Sequence, residues 1–264
     1  MKSISVIIPF HRELDELSNA VKSVNNQSLP NDFRFEIIIG NDSRFSNEKI
    51  KELLMKICDA KHLIKVEKNY LEKGAGNARN IAMQNATGEY ISFLDSDDIW
   101  KKEKILKQLA YITHDADFIS TGYEIKNKEL KILPAKKSQF KENIFFSFRP
   151  LGTSTVLAKT HYLKSCKFKN IKFCQDIVFW SEVFSKYPNI NYKSIDESLV
   201  YYSDEGGTSK SSILDFIFFY WSATKEANLK TIDRFKAIAI YIIRGFYNLI
   251  LRKQINFLVN KFKN

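Results

Sequence analysis

The chain has few of the residues that build disulfide-linked or thiolate-metal proteins. Its 264 residues include three cysteines, at positions 58, 166 and 174, and four histidines. The cysteines are odd in number and lack C-x-x-C spacing, which argues against a disulfide framework and a zinc site. Because the histidines are scattered, any bound metal would have to be held by carboxylates.

Long apolar runs are also missing. No stretch of about 18 consecutive apolar residues occurs, so we expect no helix that spans a bilayer. The start, MKSISVIIPFHRELDE, has only a short apolar run before His11 and lacks the hydrophobic region of a secretory signal, so we expect a cytosolic chain. A hydrophobic fraction of 44% excludes global disorder and predicts one large domain, alone or with an appendage.

Positive charge is unevenly distributed. The formal net charge is +11, and residues 229–264 hold eight Lys or Arg against one acid, Asp233. This tail therefore carries most of the excess. The excess positive charge of the tail could serve only to keep the protein soluble. Alternatively, it could attract the tail to nucleic acid or phospholipid.

Strand and helix patterns alternate through the first half. Short β-branched runs predict strands at 3–9, 35–40, 63–66, 90–94 and 117–121, and apolar periodicity predicts helices at about 13–26, 47–60, 75–86 and 101–113. The second half predicts helices at about 141–147 and 176–187, strands at 153–158 and 195–202, and a flexible loop at 205–209. The alternation indicates an α/β fold, a mostly parallel sheet with flanking helices. A soft boundary near residue 210 separates a basic, aromatic helical tail.

Polar side chains follow three of the predicted strands: Phe10-His11-Arg12, Asn41-Asp42 and Asp95-Ser96-Asp97. Ligands of parallel α/β sheets bind beyond the carboxyl ends of the strands. We therefore expect these groups to share one crevice.

The acidic run from Asp95 to Asp98 is the strongest local signal. Three carboxylates within four residues repel one another unless a cation or hydrogen bonds compensate. Magnesium commonly bridges such carboxylates to phosphates. A solvated turn that caps the next helix is the alternative. Asp42 and Arg79 could likewise meet a ribose and a phosphate, or serve as a turn residue and a surface ion pair.

In order, these segments resemble the family 2 glycosyltransferases of the GT-A fold. The resemblance is continuous over about 3–110 and resumes further on. It rests on the following segments: Ser5–Pro9 (SVIIP), Val21–Gln27, Glu36–Asp42 (EIIIGND), Gly76–Asn80 (GNARN), Gly88–Trp100 (GEYISFLDSDDIW), Gly152–Val156 and Gln175–Trp180.

The resemblance implies a role for each matching residue. Pro9, Phe10 and Arg12 would lie along the nucleotide, Asp42 would meet the uracil edge, and Arg79 would hold the base or diphosphate. Asp95 and Ser96 would face the ribose or metal region, and Asp97 would bind Mg²⁺ or Mn²⁺. Asp176 would be the catalytic base. An N-cap for its own helix is the alternative for Asp176.

The sequence departs from the family pattern at several positions. Gly40-Asn41-Asp42-Ser43 keeps one acid of the usual V-D-D-G, and Gln175-Asp176 keeps the base of the E-D pair without its acidic neighbour. Ser203-Asp204-Glu205 stands where many relatives carry a histidine, so Asp204 or Glu205 could assist the metal. The Q-x-x-R-W motif of processive synthases is absent, which favours transfer of a single sugar.

The resemblance implies an inverting, metal-dependent enzyme that moves a hexosyl or N-acetylhexosaminyl unit from a nucleotide diphosphate sugar. UDP would be the nucleotide. The expected acceptor is a bacterial surface glycan on a lipid carrier, such as an O-antigen, lipooligosaccharide or capsule unit. Two alternatives stay open: a catalytically dead sugar-nucleotide-binding module and a nucleic-acid-binding protein. We expect no nucleic-acid partner, because the acidic strand end opposes one.

The tail combines apolar and basic residues. Arg244, Asn248, Arg252, Asn256 and Asn260 recur every four residues, a narrow polar stripe on a wide apolar helix. We expect the tail to bind an anionic membrane surface, which would hold the enzyme at the inner face of the cell membrane. The alternative is packing on the catalytic domain or on a second subunit of a homodimer.

Overall fold

The computed structural model describes residues 1–125, 130–134, 136, 146, 151–203, 213–240 and 242–243. The predicted helix at 141–147 lies outside these residues except for Phe146, which is helical. The predicted loop at 205–209 and the polar stripe from Arg244 to Asn260 lie outside them altogether.

The strands follow the short β-branched runs of the sequence. The side chains of β1, β2 and β4 are mostly buried on both sides because helices cover both faces of the sheet there, whereas β9 has exposed polar side chains. The strands are β1 Lys2–Phe10, β2 Phe33–Asn41, β3 Leu63–Lys68, β4 Tyr90–Phe93, β5 Ile99–Trp100, β6 Phe118–Ile125, β7 Leu130–Ile132, β8 Leu157–Lys159 and β9 Tyr192–Tyr202.

The helices begin where the apolar period changes from two to about 3.6 residues. They are α1 Leu14–Asn25, α2 Asn47–Ile57, α3 Ala75–Gln84, α4 Lys104–Ile112, α5 Thr160–Lys164, α6 Gln175–Lys186 and α7 Ile213–Glu226. Residues 231–240 are also helical. Every helix predicted in the first half is present within a few residues of its expected ends.

The described strands form one nine-stranded sheet in the order β3-β2-β1-β4-β8-β6-β9-β5, with β7 beside β6. β1, β2, β3 and β4 are parallel, as predicted. In the second half, β8 runs antiparallel to both β4 and β6, whereas β6 and β9 are parallel. The α/β fold with flanking helices is confirmed, and each antiparallel pair among the described strands includes β7, β8 or β9.

One predicted strand needs correction. Residues 153–158 were expected to be extended, but Thr153–Thr155 form a turn of 3₁₀-helix and the strand β8 begins at Leu157. The hydroxyl of Thr155 and its backbone N–H both bond to the carbonyl of Gly152, at 2.6 and 3.0 Å. Such local side-chain hydrogen bonds compete with extended backbone.

Two apolar clusters cover the two faces of the sheet. One contains Phe93, Phe118 and Trp180, and the other contains Phe10, Phe35 and Trp100. α3 lies directly on β2, because a Cβ built on Gly40 would stand 2.1 Å from the carbonyl oxygen of Ala78. A glycine is required at this point so that the helix can approach the strand.

The start of the tail packs on the rest of the molecule. Tyr220 and Ala223 of α7 are buried in the first cluster, and the ring of Phe219 lies 4.6 Å from that of Phe173. The 231–240 helix then packs on α7, with Ala237 buried and the guanidinium of Arg234 3.7 Å from the Trp221 ring. Among the described helices, none is long and apolar enough to cross a membrane.

Candidate functional site

The ends of β1, β2 and β4 come together at one edge of the sheet. Phe10 is paired with Asn41, and the N–H of Asp42 donates to the carbonyl of Phe10 at 2.8 Å. On the other side of β1, the N–H of Leu94 donates to the carbonyl of Ile7 at 3.0 Å. The acidic run from Asp95 therefore starts beside the end of β1.

A cleft of about 530 Å³ opens at this edge. Its lining residues are His11, Arg12, Glu13, Asp42, Arg44, Lys73, Gly74 and Ala75. Burial and the neighbouring Arg12 lower the pKa of His11, so that imidazole is neutral at pH 7. The three permanent cations, Arg12, Arg44 and Lys73, then outnumber the two acids.

Asp42 is held in place by the loop that precedes α3. One carboxylate oxygen accepts from the side-chain amide of Asn69 at 2.8 Å, and the other from the N–H of Gly74 at 2.9 Å. Gly74 has a φ of 149°, a backbone conformation that residues other than glycine rarely adopt. Asp42 thus borders the cleft and also fixes the start of α3.

Pro9, Phe10 and Ser96 lie at the same edge with buried side chains. The ring of Phe10 is fully buried and stacks on Phe45, with 6.2 Å between their centroids. Among the residues that the sequence places along a nucleotide, Arg12 and Asp42 are the ones whose side chains line the cleft.

Arg79 and Asp95 form a short ion pair behind the cleft. The Nη2 of Arg79 donates to Oδ1 of Asp95 at 2.6 Å, and the guanidinium lies 5.2 Å from the ring centre of Phe168. Burial disfavours its charge, but the carboxylates of Asp95 and Asp176 outweigh burial and raise the pKa of Arg79. In this structure Arg79 is therefore the partner of Asp95.

The remaining acids of the turn differ in their surroundings. Burial and the charge of Asp95 raise the pKa of Asp97 to about 6. Asp98 is 1% exposed and accepts hydrogen bonds from the Oγ of Ser154 at 2.5 Å and the N–H of Ser203 at 2.9 Å. Asp98 is thus engaged by the protein, whereas Asp97 lies half-buried at the surface of the turn.

Asp95 and Asp97 are the candidate metal ligands. Within the part of the chain that the structure describes, no three His, Cys, Asp or Glu side chains form a ready-made metal cluster. Mg²⁺ and Mn²⁺ sites that use substrate phosphates need only one or two carboxylates. Burial is the main cause of the raised pKa of Asp97, and the charge of Asp95 adds to it. A cation beside the two carboxylates would offset both effects, so the residues fit such an ion.

Asp176 comes from the second half of the chain. It lies in the first turn of α6, behind Cys174, whose φ is 61°. Burial first, and then the charges of Asp98, Asp95 and Asp176, raise the pKa of Tyr202. Since the charge of Asp176 also acts on Arg79, its carboxylate lies within electrostatic range of the Arg79–Asp95 pair.

Sequence reasoning missed several groups at this edge. They are Arg44, Lys73, Gly74 and Ser154. A glycine after a lysine in the polar loop before α3 was a usable signal for Lys73 and Gly74, because helix N-termini with nearby glycine often bind anions. The sequence carried no comparable signal for Ser154, whose partners are more than 50 residues away.

The comparisons with known proteins agree on one family. The family model described as "Glycosyl transferase family 2" matches residues 5–168. "Putative teichuronic acid biosynthesis glycosyltransferase TuaG" of Bacillus subtilis is 32% identical over 189 residues, which covers 69% of this chain and 72% of that protein. The Escherichia coli protein "UDP-Glc:alpha-D-GlcNAc-diphosphoundecaprenol beta-1,3-glucosyltransferase WfaP" is 28% identical over 249 residues, 93% of this chain and 94% of that protein.

A solved structure supports the fold independently. S. aureus TarS 1-349 in complex with UDP-GlcNAc superposes with a TM-score of 0.62 at 23% identity, covering 94% of this chain and 73% of that chain. At this identity the likeness concerns the fold alone.

Proposed function

Because the chain belongs to family 2 of the glycosyltransferases, we propose that it transfers a single sugar from a nucleotide diphosphate sugar to a hydroxyl of a glycan acceptor. The donor is UDP-linked, the transferred unit is a hexosyl or N-acetylhexosaminyl group, and the anomeric carbon is inverted. Two observations carry this proposal: Arg12, Arg44 and Lys73 line one cleft, and the charge of Arg12 also acts on Asp97 of the acidic turn. Cations suit a diphosphate, and carboxylates suit its metal ion.

The donor side would bind the nucleotide through the cleft. Asp42 presents carboxylate oxygens that accept hydrogen bonds, which suits the N–H of a uracil ring. Lys73, Gly74 and Ala75 surround the N-terminus of α3, where backbone N–H groups and the helix dipole favour a phosphate.

Asp97, with Asp95 beside it, would hold Mg²⁺ or Mn²⁺. When bound, such an ion neutralises the negative charge that develops on the leaving diphosphate. Arg79 holds the Asp95 carboxylate in place through its 2.6 Å ion pair. Asp97 must lose its proton before it can act, and it does so above a pH of about 6.

Asp176 would be the general base. Its carboxylate accepts the proton of the acceptor hydroxyl while that oxygen forms a bond to the anomeric carbon. The bond from the anomeric carbon to the diphosphate oxygen breaks on the opposite face, which inverts the configuration.

The acceptor would be a lipid-linked glycan of a bacterial surface polysaccharide. The names of two similar proteins motivate this choice: one is attributed to teichuronic acid biosynthesis and the other acts on GlcNAc-diphosphoundecaprenol. A lipid carrier would place the acceptor at the membrane surface.

The tail would keep the enzyme at an anionic membrane. Phe218, Ile232, Phe235 and Ile243 are between 59% and 69% exposed, which is unusual for such large apolar side chains. Lys225 and Lys236 are exposed on the same helices and Lys230 is exposed between them, and residues 244–264 add five further cations. Apolar side chains together with cations suit the boundary between acyl chains and anionic headgroups.

Vesicle binding tests the tail. We expect co-sedimentation with vesicles of phosphatidylglycerol, loss of binding at high salt, and much weaker binding in Phe235→Glu. Met55→Glu is the matched control, because Met55 is 67% exposed on α2 in the other part of the molecule. Equal binding to neutral phosphatidylcholine vesicles, or self-association without lipid, would contradict the proposal in favour of a homodimer.

A donor and acceptor screen tests the activity. The purified chain is incubated with Mn²⁺, with UDP-, GDP- or dTDP-sugars, and with a synthetic GlcNAc-diphospholipid acceptor. We expect a single sugar to be added from one UDP-sugar, with inverted configuration in the product. Binding of UDP-sugars with neither transfer nor slow hydrolysis would identify a sugar-nucleotide-binding module instead.

A further inference from the structure

The acidic turn is held from two sides by hydrogen bonds. Asp98 is 1% exposed, and its two carboxylate oxygens accept from Ser154 at 2.5 Å and from the N–H of Ser203 at 2.9 Å. Ser154 belongs to the 3₁₀ turn at Thr153–Thr155, and Ser203 follows β9. The turn is thereby attached to two segments of the second half of the chain.

Ser154 makes three hydrogen bonds to the acidic turn and the residues just after it. Its Oγ accepts from the N–H of Asp95 at 3.1 Å while the same hydroxyl donates to Asp98. Its carbonyl accepts from the indole N–H of Trp100 at 2.9 Å. Ser154 is fully buried, and it therefore links Asp95 and Asp98, the two ends of the acidic run, to Trp100.

These contacts oppose the repulsion within the turn. Three carboxylates in four residues favour a wider turn, because each raises the energy of its neighbours' charge. A hydroxyl that donates at one end of the run and accepts at the other keeps the two ends together. Without it, a buried oxygen of Asp98 would lose its hydrogen bond from Ser154, and the turn could relax.

We propose that Ser154 is a positioning residue for sugar transfer, which holds Asp95 and Asp97 at the spacing that a divalent cation and a diphosphate require. This inference rests on the proposed function. Ser154 acts through the backbone N–H of Asp95 and the carboxylate of Asp98, which together set the shape of the turn.

The test compares two buried serines. Ser154→Ala removes the hydroxyl, and Ser154→Thr keeps it. Ser120→Ala is the matched control, because Ser120 is also fully buried and its hydroxyl bonds to Tyr192 at 2.5 Å, away from the acidic turn. Calorimetry measures UDP binding over a series of Mn²⁺ concentrations, and thermal unfolding is followed in parallel.

We expect Ser154→Ala to raise the Mn²⁺ concentration for half-maximal UDP binding by about tenfold, the usual size for a partner of a metal ligand. Ser154→Thr should stay within about threefold of the original protein, and Ser120→Ala should leave the Mn²⁺ requirement unchanged. Both alanine variants should lower Tm by about 2–4 °C. If Ser154→Ala gives no folded protein, Ser154→Cys replaces it, since a thiol is a weaker donor.

An unchanged Mn²⁺ requirement in Ser154→Ala, or an equal change in both alanine variants, would overturn the inference. Failure of the original protein to bind UDP at any Mn²⁺ concentration would instead overturn the proposed function. The two failures are therefore distinguishable.

Discussion

The donor side and the acceptor side of the site are built in different ways. On the donor side, Arg12, Asp42 and Asp95 directly follow parallel strands, so the register of β1, β2 and β4 places them. On the acceptor side, Asp176 stands on a helix that follows a left-handed residue, Cys174, in the half where strands change direction. The donor-side groups are thus positioned by the strands that directly precede them. The proposed base, Asp176, is positioned by packing between segments that are distant in the chain.

The largest effect should come from the acceptor side. We expect Asp176→Asn to lower kcat by about a thousandfold, because an amide cannot accept the acceptor's proton. UDP affinity should stay within about threefold, since the donor cleft is untouched. Steady-state kinetics and calorimetry measure the two quantities.

Glu182→Gln is the control for that variant, because Glu182 lies on the same helix in an ion pair with Lys169 at 3.7 Å. It should leave kcat nearly unchanged. Near-normal turnover in Asp176→Asn would show that Asp176 is not the general base. The acceptor side would then have no identified catalytic group.

The next effect should come from the acidic turn. We expect Asp97→Ala to raise the Mn²⁺ concentration needed for UDP binding by at least about tenfold, because a carboxylate ligand is lost. Asp196→Ala, an exposed acid on β9, should have no effect. A metal titration that matches the original protein would exclude Asp97 as a ligand.

The pH dependence of metal binding follows from the same residue. The pKa of Asp97 is raised to about 6, so the carboxylate is protonated below that pH and cannot bind a cation. Mn²⁺-dependent UDP binding should therefore weaken by about tenfold for each pH unit below about 6. The same binding measured between pH 5 and 8 tests this, and a flat profile would contradict it.

A smaller effect, on fold stability, should come from Glu36, which lies in the sheet beneath the donor side. Glu36 of β2 is buried and bonds to Ser5, Lys65 and Thr87. Burial opposes its charge, but these partners prevail and lower its pKa from 4.5 to about 2. Because the pKa of Glu36 is lower in the folded protein, its ionised carboxylate stabilises the fold, and this stabilisation is fully present above pH 4.5. It disappears as the pH falls from 4.5 to about 2.

We expect Glu36→Gln to lower the free energy of unfolding by about 2 kcal/mol at pH 7. Between pH 5 and pH 2 its stability should change less than that of the original protein. Urea unfolding at several pH values measures both quantities. Equal acid sensitivity in the two proteins would show that Glu36 does not anchor the donor half.

The smallest effect should come from the rim of the cleft. Lys73 is exposed, so its contribution to phosphate binding is screened by solvent. We expect Lys73→Ala to weaken UDP binding by about three- to tenfold and to reduce the salt dependence of binding.

Lys193→Ala is the control for Lys73→Ala. It removes the same charge from an exposed residue at the far end of β9. An equal loss of UDP affinity in both variants would indicate a general charge effect and not a contact to the nucleotide.

The strand ends were predictable because parallel strands place their carboxyl ends at one edge. Asp42 and Asp95 could therefore be found from buried runs followed by acids. The 3₁₀ turn at Thr153–Thr155 was mistaken for a strand, since its hydrogen bonds to Asp95 and Asp98 are not visible in a local pattern. The packing of the tail was equally hidden, because Tyr220 is buried and Phe235 exposed in segments of similar composition.

The sequence by itself determined the α/β order, the family and the acids at the strand ends, because these depend on neighbouring residues and on the periodicity of apolar side chains. Only the tertiary structure decided that Arg79 pairs with Asp95, that Asp98 is engaged by Ser154, and that the charge of Asp176 acts on Arg79. Those contacts join residues far apart in the chain. They form only when the sheet and helices have packed, so no local pattern encodes them.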